Sequence, residues 1–254
     1  MISVIMAYHE RAFQFMNTLD SYLRWYEPSM IEICMVEDMP VKNDPLGERI
    51  LKKYPFKYQY TLVDRRKQTW RNPAKLYNLA AEMASRSVLG ITNPENLHTG
   101  AVFEHSLSVI NETNYIVYAC ANTSFIPRSL DECLGRWGTP GSYLPVGPSG
   151  HCWYTHSTIN KRPLHFMSVI TGENYRRIGG FDEEYENGYC YEDDDFAERV
   201  TNGGLTIEHI DSPCVVHQFH SRSQHVAHHD GVSGLDRNRE LFMKKWPNSR
   251  ALLG

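Results

Sequence analysis

Residues 190–196 read CYEDDDF, four carboxylates in an unbroken row. Adjacent like charges repel, so the row needs a positive counterweight. A helix start supplies one: its first turn carries spare N–H donors and the positive end of the helix dipole, which hold carboxylates ionised near neutral pH. A carboxylate held there can abstract a proton from a hydroxyl. Successive residues at a helix start point in different directions, so the four cannot all face one metal ion. A well-capped surface helix is the other use of the same row.

Further polar residues fall where apolar runs stop. Tyr8, His9 and Glu10 end or follow ISVIMAY (2–8), Glu37 and Asp38 close IEICMVED (31–38), Arg65 and Arg66 follow the run 58–63, and Asn93-Pro94-Glu95 with His98 follow SVLGIT (87–92). The branched, apolar character of these runs predicts strands. Between them lie helical patterns: Ala12, Phe15, Met16, Leu19, Tyr22 and Leu23, then 46–54, then 73–85 with a proline at its start. The βαβαβαβ order predicts an α/β fold with a doubly wound, mostly parallel central sheet and ligands at the carboxyl ends of its strands. The first turn lacks the dinucleotide-binding glycine fingerprint, which disfavours a nicotinamide or flavin enzyme.

The second half is less regular. A helix over 100–111, a strand over 115–121 and a loop-rich stretch, 127–163, carrying Trp137, Trp153 and Tyr154 come first; the aromatics either stack on a sugar-like face or plug a small satellite core. A strand (166–171), a turn closed by Gly179-Gly180, a helix from the acidic row, strands LTIEHI and CVVHQF, and a terminal helix (237–246) complete the chain.

With 254 residues, 41% hydrophobic and 22% charged, the chain suits one sizeable domain, 1–254, with halves at 1–99 and 100–220 and a C-terminal loop and helix over 221–254. A formal charge of -4, with basic clusters only at Arg65-Arg66-Lys67 and Lys244-Lys245, gives no duplex nucleic-acid footprint. No run approaches the ~18 apolar residues of a membrane span. The opening ISVIM is too short for a secretion signal, and six isolated cysteines suit a reduced, cytoplasmic protein. Two sequons, at Asn111 and Asn122, are short enough to recur by chance. Of the twelve histidines, those in HSRSQHVAHHD (220–230) match no standard zinc spacing, and the segment reads as a polar lid or exposed loop.

The motif order resembles the inverting GT-A fold glycosyltransferases, family 2-like with a galactosyltransferase-like C-terminal motif. The carrying segments are ISVIMAYHER, MVEDMP, RNPAKLYNLA, ITNPENLH and above all ITGENYRRIGGFDEEYENGYCYEDDDFAERV. The resemblance implies a Rossmann-like half that binds a nucleotide-sugar donor, by default a UDP-sugar, fused to a half that binds a glycan or other hydroxyl acceptor. It places the catalytic base on Asp193 with Glu192 beside it, Asp194 and Asp195 being helix-start residues. Donor contacts fall on Ala7, Tyr8, Glu10, Glu37, Asp38, Arg65, Arg71, Lys75 and Asn78, and acceptor contacts on Trp153 and Gly172. Relatives carry Asp-x-Asp after the fourth strand; this chain has Asn-Pro-Glu, so the divalent ion, Mn or Mg, is assigned to Glu95, Asn93 and His217, with His98 and His220 as further candidates. The departure leaves a second possibility, a catalytically silent nucleotide-sugar or glycan-binding module of the same fold.

Overall fold

The computed structural model describes residues 1–40, 42–68, 72–136, 146, 150–220 and 231–249; Arg71, Trp137 and positions 221–230 lie outside these. The strands are β1 (Ile2–Tyr8), β2 (Ile31–Asp38), β3 (Lys57–Val63), β4 (Val88–Thr92), β5 (Asn96–His98), β6 (Asn114–Asn122), β7 (Trp153–Thr155), β8 (Met167–Thr171) and β9 (Thr206–His217). They form one sheet in the order β3-β2-β1-β4-β8-β6-β9-β5, with β7 beside β6. Strands β1 to β4 run parallel, β8 is inserted antiparallel between β4 and β6, and β6 and β9 return to the first direction. The carboxyl ends of β1 to β4, β6 and β9 therefore share one edge, and β8 starts there and ends at the opposite one.

Period-two alternation makes a core on each face. Ile2, Val4, Met6 and Tyr8 of β1 pack with α1 (Ala12–Trp25), α2 (Gly47–Leu51) and α4 (Val102–Val109), while Ile5, with Cys34 and Val36 of β2, meets α3 (Ala74–Met83) and α7 (Glu192–Asn202). On that second face Phe196 of α7 stacks on Phe181 at 4.4 Å and touches Tyr175 of α6 (Gly172–Arg177). Burying a side chain of that size contributes roughly 1.5–3 kcal/mol, which anchors α7 beneath the acidic row. Helix α5 (Leu130–Arg136) lies within the loop-rich stretch, and α8 (Gly231–Lys245) closes the chain.

Four elements differ from the sequence pattern. LTIEHI and CVVHQF are a single strand, β9: Ile210 faces Tyr118 and Val215 faces Cys120, so the intervening residues, including Pro213 with no N–H to donate, bulge out of the ladder. The segment after β4 contains β5, whose three residues pair with the end of β9. Helix α2 stops at Leu51, its last turn tightening into bonds from Lys53 and Tyr54 to Ile50 and Leu51 ahead of Pro55. The terminal helix begins at Gly231 rather than 237.

Candidate active site

The acidic row opens α7 at the carboxyl edge, and its entry is unusual. Cys190 and Tyr191, neither a glycine, have φ of 59° and 70°, a left-handed turn that L side chains disfavour and that surrounding contacts must hold. Asn238 of α8 donates from Nδ2 to the carbonyls of Cys190 (2.8 Å) and Tyr185 (3.1 Å). Gly188 is required there, since a Cβ on it would overlap the Asn238 amide. Gly180 meets a similar limit, its would-be Cβ lying 2.6 Å from Asn78 Oδ1.

Each carboxylate then has its own surroundings. Asp195 is fully buried and accepts from Arg199 Nε (2.6 Å), Trp246 Nε1 (2.7 Å) and the Tyr185 hydroxyl (3.3 Å), which makes it a lock between α7 and the residues after α8. Asp194 takes both bonds of a two-pronged contact from Arg162 Nη2, at 2.9 and 2.8 Å; it ties the helix to the loop before β8 as well as opening the first turn. Burial, then the Asp193 charge, pushes Asp194 up to about 6 against the pull of Arg162. Glu192 is buried, its Oε2 accepting from Asn72 Nδ2 at 2.6 Å; burial and the neighbouring Asp193 push its carboxyl up to about 8. Asp193 is half-buried and accepts from the Asp194 N–H at 2.9 Å, and burial raises it too. Burial raises both carboxyls, and the charge of Asp193 adds to the rise at Glu192, so the two neighbours are pushed to give up their protons in separate steps.

A second cluster sits at the ends of β4 and β9. Register pairs Asn96 with His217, so Glu95 comes beside the end of β9. Glu95 Oε1 lies 3.5 Å from His217 Nε2 and 3.3 Å from His220 Nε2, and the ligand atoms of the three residues all lie within 4.8 Å of one another. Burial alone would raise the Glu95 carboxyl, but hydrogen bonds and charge from the two imidazoles hold it well below the usual carboxylate range. One carboxylate oxygen and two imidazole nitrogens fit a divalent transition ion such as Mn better than Mg, which favours an all-oxygen shell.

Tyr77 of α3 joins the two clusters. Its hydroxyl donates to Asn93 Oδ1 at 2.5 Å, and the charges of Glu95, Glu192 and Asp193 all act on it. Beside its ring, at 4.9 Å, His165 is buried and held down to about 4 by desolvation, hence neutral. Asn72, Tyr77, Arg162 and His165 were not singled out as site residues in the sequence. Their partners lie far along the chain, although Asn72 and Tyr77 fall within RNPAKLYNLA.

Several candidate residues have other occupations. His98 is a core histidine, wrapped by Tyr22, Tyr26 and Phe103, bonded to the Tyr26 hydroxyl at 2.7 Å and pushed down to about 3 by burial; it lies outside the Glu95 cluster. The Asn93 amide oxygen is engaged by Tyr77. Gly172 follows β8, which runs against its neighbours, so it sits beside Ser87 at the edge opposite Glu95. Glu37 caps α2, accepting from the Leu46 and Gly47 N–H groups and the Tyr60 hydroxyl. Asn78 spends its amide on Phe181, Glu183 and Tyr175, shaping the Gly179-Gly180 turn. The Tyr8 ring is interior, packed on Phe15.

The remaining candidates lie along the carboxyl edge. Asp38 and Arg65 form a buried pair at 3.0 Å, Ala7 and Glu10 flank the end of β1, and Lys75 is half-buried in the first turn of α3. Trp153 in β7 pairs with Ala121 near the end of β6, its ring 4.8 Å from His156. No helix among the described residues is long and apolar enough to cross a membrane.

Residues 166–228, from the start of β8 through the acidic row to the histidines after β9, match the family model described as the N-terminal domain of galactosyltransferase. No curated protein sequence matches the chain. Among solved structures, TarS from S. aureus superposes with a TM-score of 0.59 at 13% identity, covering 86% of this chain and 36% of that one. Its 1–349 fragment in complex with UDP gives 0.60 at 13% identity, with 86% and 60% covered. A mannosyltransferase from Pyrobaculum calidifontis in complex with GDP-Man and Mn2+ gives 0.58 at 15% identity, with 89% and 59% covered. This chain thus spans from 36% to 60% of the length of these structures. It has the GT-A fold of these glycosyltransferases, and the segment carrying its acidic row is similar to the galactosyltransferase family model.

Proposed function

We propose that the protein is a glycosyltransferase that moves a sugar from a nucleotide-sugar to an acceptor hydroxyl with inversion, Asp193 serving as the base. The observation that carries this is the shared edge: the charges of Glu192 and Asp193 at the start of α7 and of Glu95, which groups with His217 and His220, all reach the Tyr77 hydroxyl, itself bonded to Asn93. A donor diphosphate needs positive charge and an acceptor hydroxyl needs a base, and this edge offers a setting for each. Asp193 is the more open member of the pair and is assigned the ionised base, while the more buried Glu192, pushed up to about 8, is assigned the proton. Asp193 takes the acceptor proton as the hydroxyl oxygen bonds to the anomeric carbon, and the bond from that carbon to the diphosphate oxygen breaks on the opposite side.

A divalent ion held by Glu95, His217 and His220 would neutralise charge on the departing diphosphate. Asp38 with Arg65, together with Ala7, Glu10 and Lys75, lines the nucleotide side, and Trp153 offers an aromatic face to the acceptor sugar. The donor default is a UDP-sugar, with GDP-mannose as the competing donor to assay.

The test is nucleoside diphosphate release from a panel of UDP- and GDP-sugars with Mn and a mixture of glycan acceptors. Turnover is expected with at least one donor, and Asp193→Asn is expected to lower it by about 10²–10⁴-fold while leaving nucleotide affinity within a fewfold. Donor binding without release by the wild-type protein would instead identify a binding module, and release persisting in the variant would move the base elsewhere.

A further inference from the structure

A buried polar chain links the donor edge to the acid pair, its four residues coming from β2, the connection between β3 and α3, and α7. Asp38 at the end of β2 accepts from Arg65 Nη2 at 3.0 Å, and Arg65 Nη1 donates to the Asn72 carbonyl at 2.7 Å. Asn72, immediately before α3, then donates to Glu192 Oε2 at 2.6 Å. All four residues are buried. The orientation of the Asn72 amide is fixed by chemistry: its Oδ1 accepts from the Ala74 N–H at 3.0 Å, and a backbone N–H only donates. The other end of the amide is therefore NH2, and Glu192 Oε2 is an acceptor whether or not the carboxyl is protonated. With Asn72 donating to Oε2, a proton on Glu192 is favoured on Oε1, since the carbonyl oxygen of a carboxyl is the better acceptor.

We propose that Asn72 is a positioning residue for transfer, pinning Glu192 Oε2 as an acceptor so that Oε1 carries the proton and meets the incoming acceptor hydroxyl beside Asp193. The inference rests on the glycosyl-transfer reading above and deepens it. A protonated Oε1 donates to a lone pair of the acceptor oxygen, leaving the O–H of that same hydroxyl to point at Asp193. Arg65 fixes the backbone of Asn72 and is itself held by Asp38, so the orientation of Glu192 is set from the nucleotide side of the crevice.

Asn72→Asp isolates this role, because it keeps an oxygen for the Ala74 N–H and replaces only the donor that faces Glu192. Glu192 is faced by Asp193 and Asp194 of its own helix, by Tyr77 of α3 and by Cys190 of the preceding turn, and the substitution alters none of them. Two readouts are needed: kcat against donor and acceptor KM, and the titration of the Glu192 carboxyl followed by 13C NMR. In the folded variant the Glu192 midpoint is expected to rise by about one pH unit or more. The value of kcat is expected to fall about tenfold or more, with donor KM within twofold. A midpoint that does not move, or a kcat that does not fall when the midpoint moves, overturns the inference. A moved midpoint in a protein whose wild type transfers no sugar supports the pinned carboxyl and sinks the transfer reading instead. Should Asn72→Asp not fold, the double variant with Glu192→Gln re-forms the bond with its polarity reversed; recovery of the fold supports the pairing, and no recovery overturns it.

Discussion

Glu95 and Glu192 are the same residue type at the same edge of the same sheet, each 8% exposed, and they are driven in opposite directions. Burial acts alike on both. Around Glu95 two imidazoles come within 3.5 Å and hold the carboxyl ionised. Around Glu192 the neighbours are Asp193, Asp194 and a neutral amide, so the proton stays to about pH 8. Partners decide the charge state, and charge state assigns the role: an ionised oxygen suits a cation, a protonated one suits a hydroxyl.

The largest expected effect that breaks the comparison is on the Glu95 side. Glu95→Ala removes a ligand and leaves His217 and His220 without their carboxylate, so Mn-dependent donor affinity is expected to fall by about a hundredfold or more, at least the roughly 10–100-fold that losing an outer partner of a ligand costs. Calorimetry with and without Mn checks it: donor binding in the absence of Mn should be unchanged. An unaltered Mn requirement would return Asn-Pro-Glu to a plain turn.

The second effect concerns stability and isolates Glu192. Its folded pKa lies above the ordinary 4.5, so the folded state holds a proton that the unfolded chain has lost, and stability drains away as pH rises from about 4.5 through about 8. Glu192→Gln removes that drain. Its melting temperature relative to wild type should therefore climb across this window and level off above it. A difference independent of pH would show that Glu192 ionises normally.

The smallest effect is a control from the wrong edge. Gly172 is not in a left-handed conformation, and a Cβ there would meet Arg176 Nη1 and the Ser87 carbonyl at an ordinary 3.5 Å. Gly172→Ala should leave turnover within twofold and stability within about 0.5 kcal/mol. A large change in acceptor KM would restore it to the acceptor site.

Gly172 also shows what the sequence withheld. The apolar run 166–171 announces β8 but carries no sign of direction, and the strand runs opposite to its neighbours. His98 differs from its sequence expectation for a related reason: β5 is three residues long, too short for a periodic pattern, and it carries His98 into an aromatic core. The Glu95 and His217 pairing was legible because both follow strands of the same direction, and strand ends converge by topology alone. Asn72 and Asn238 were not, since each bonds a group remote in sequence and their types are ordinary for a helix start and a helix interior. Within CYEDDDF the separation of Glu192 and Asp193 from Asp195 follows from helix geometry. The Arg162 contact with Asp194 depends on a loop whose path no local pattern encodes.

The account stands or falls on whether the two clusters serve one reaction centre. A crystal of the Asp193→Asn variant with Mn and the intact donor that the wild type turns over, measured at the manganese absorption edge, tests this directly. The anomalous peak is expected between Glu95, His217 and His220, with the diphosphate against it and the anomeric carbon turned toward position 193. A peak elsewhere, or a donor whose sugar points away from the start of α7, would contradict it.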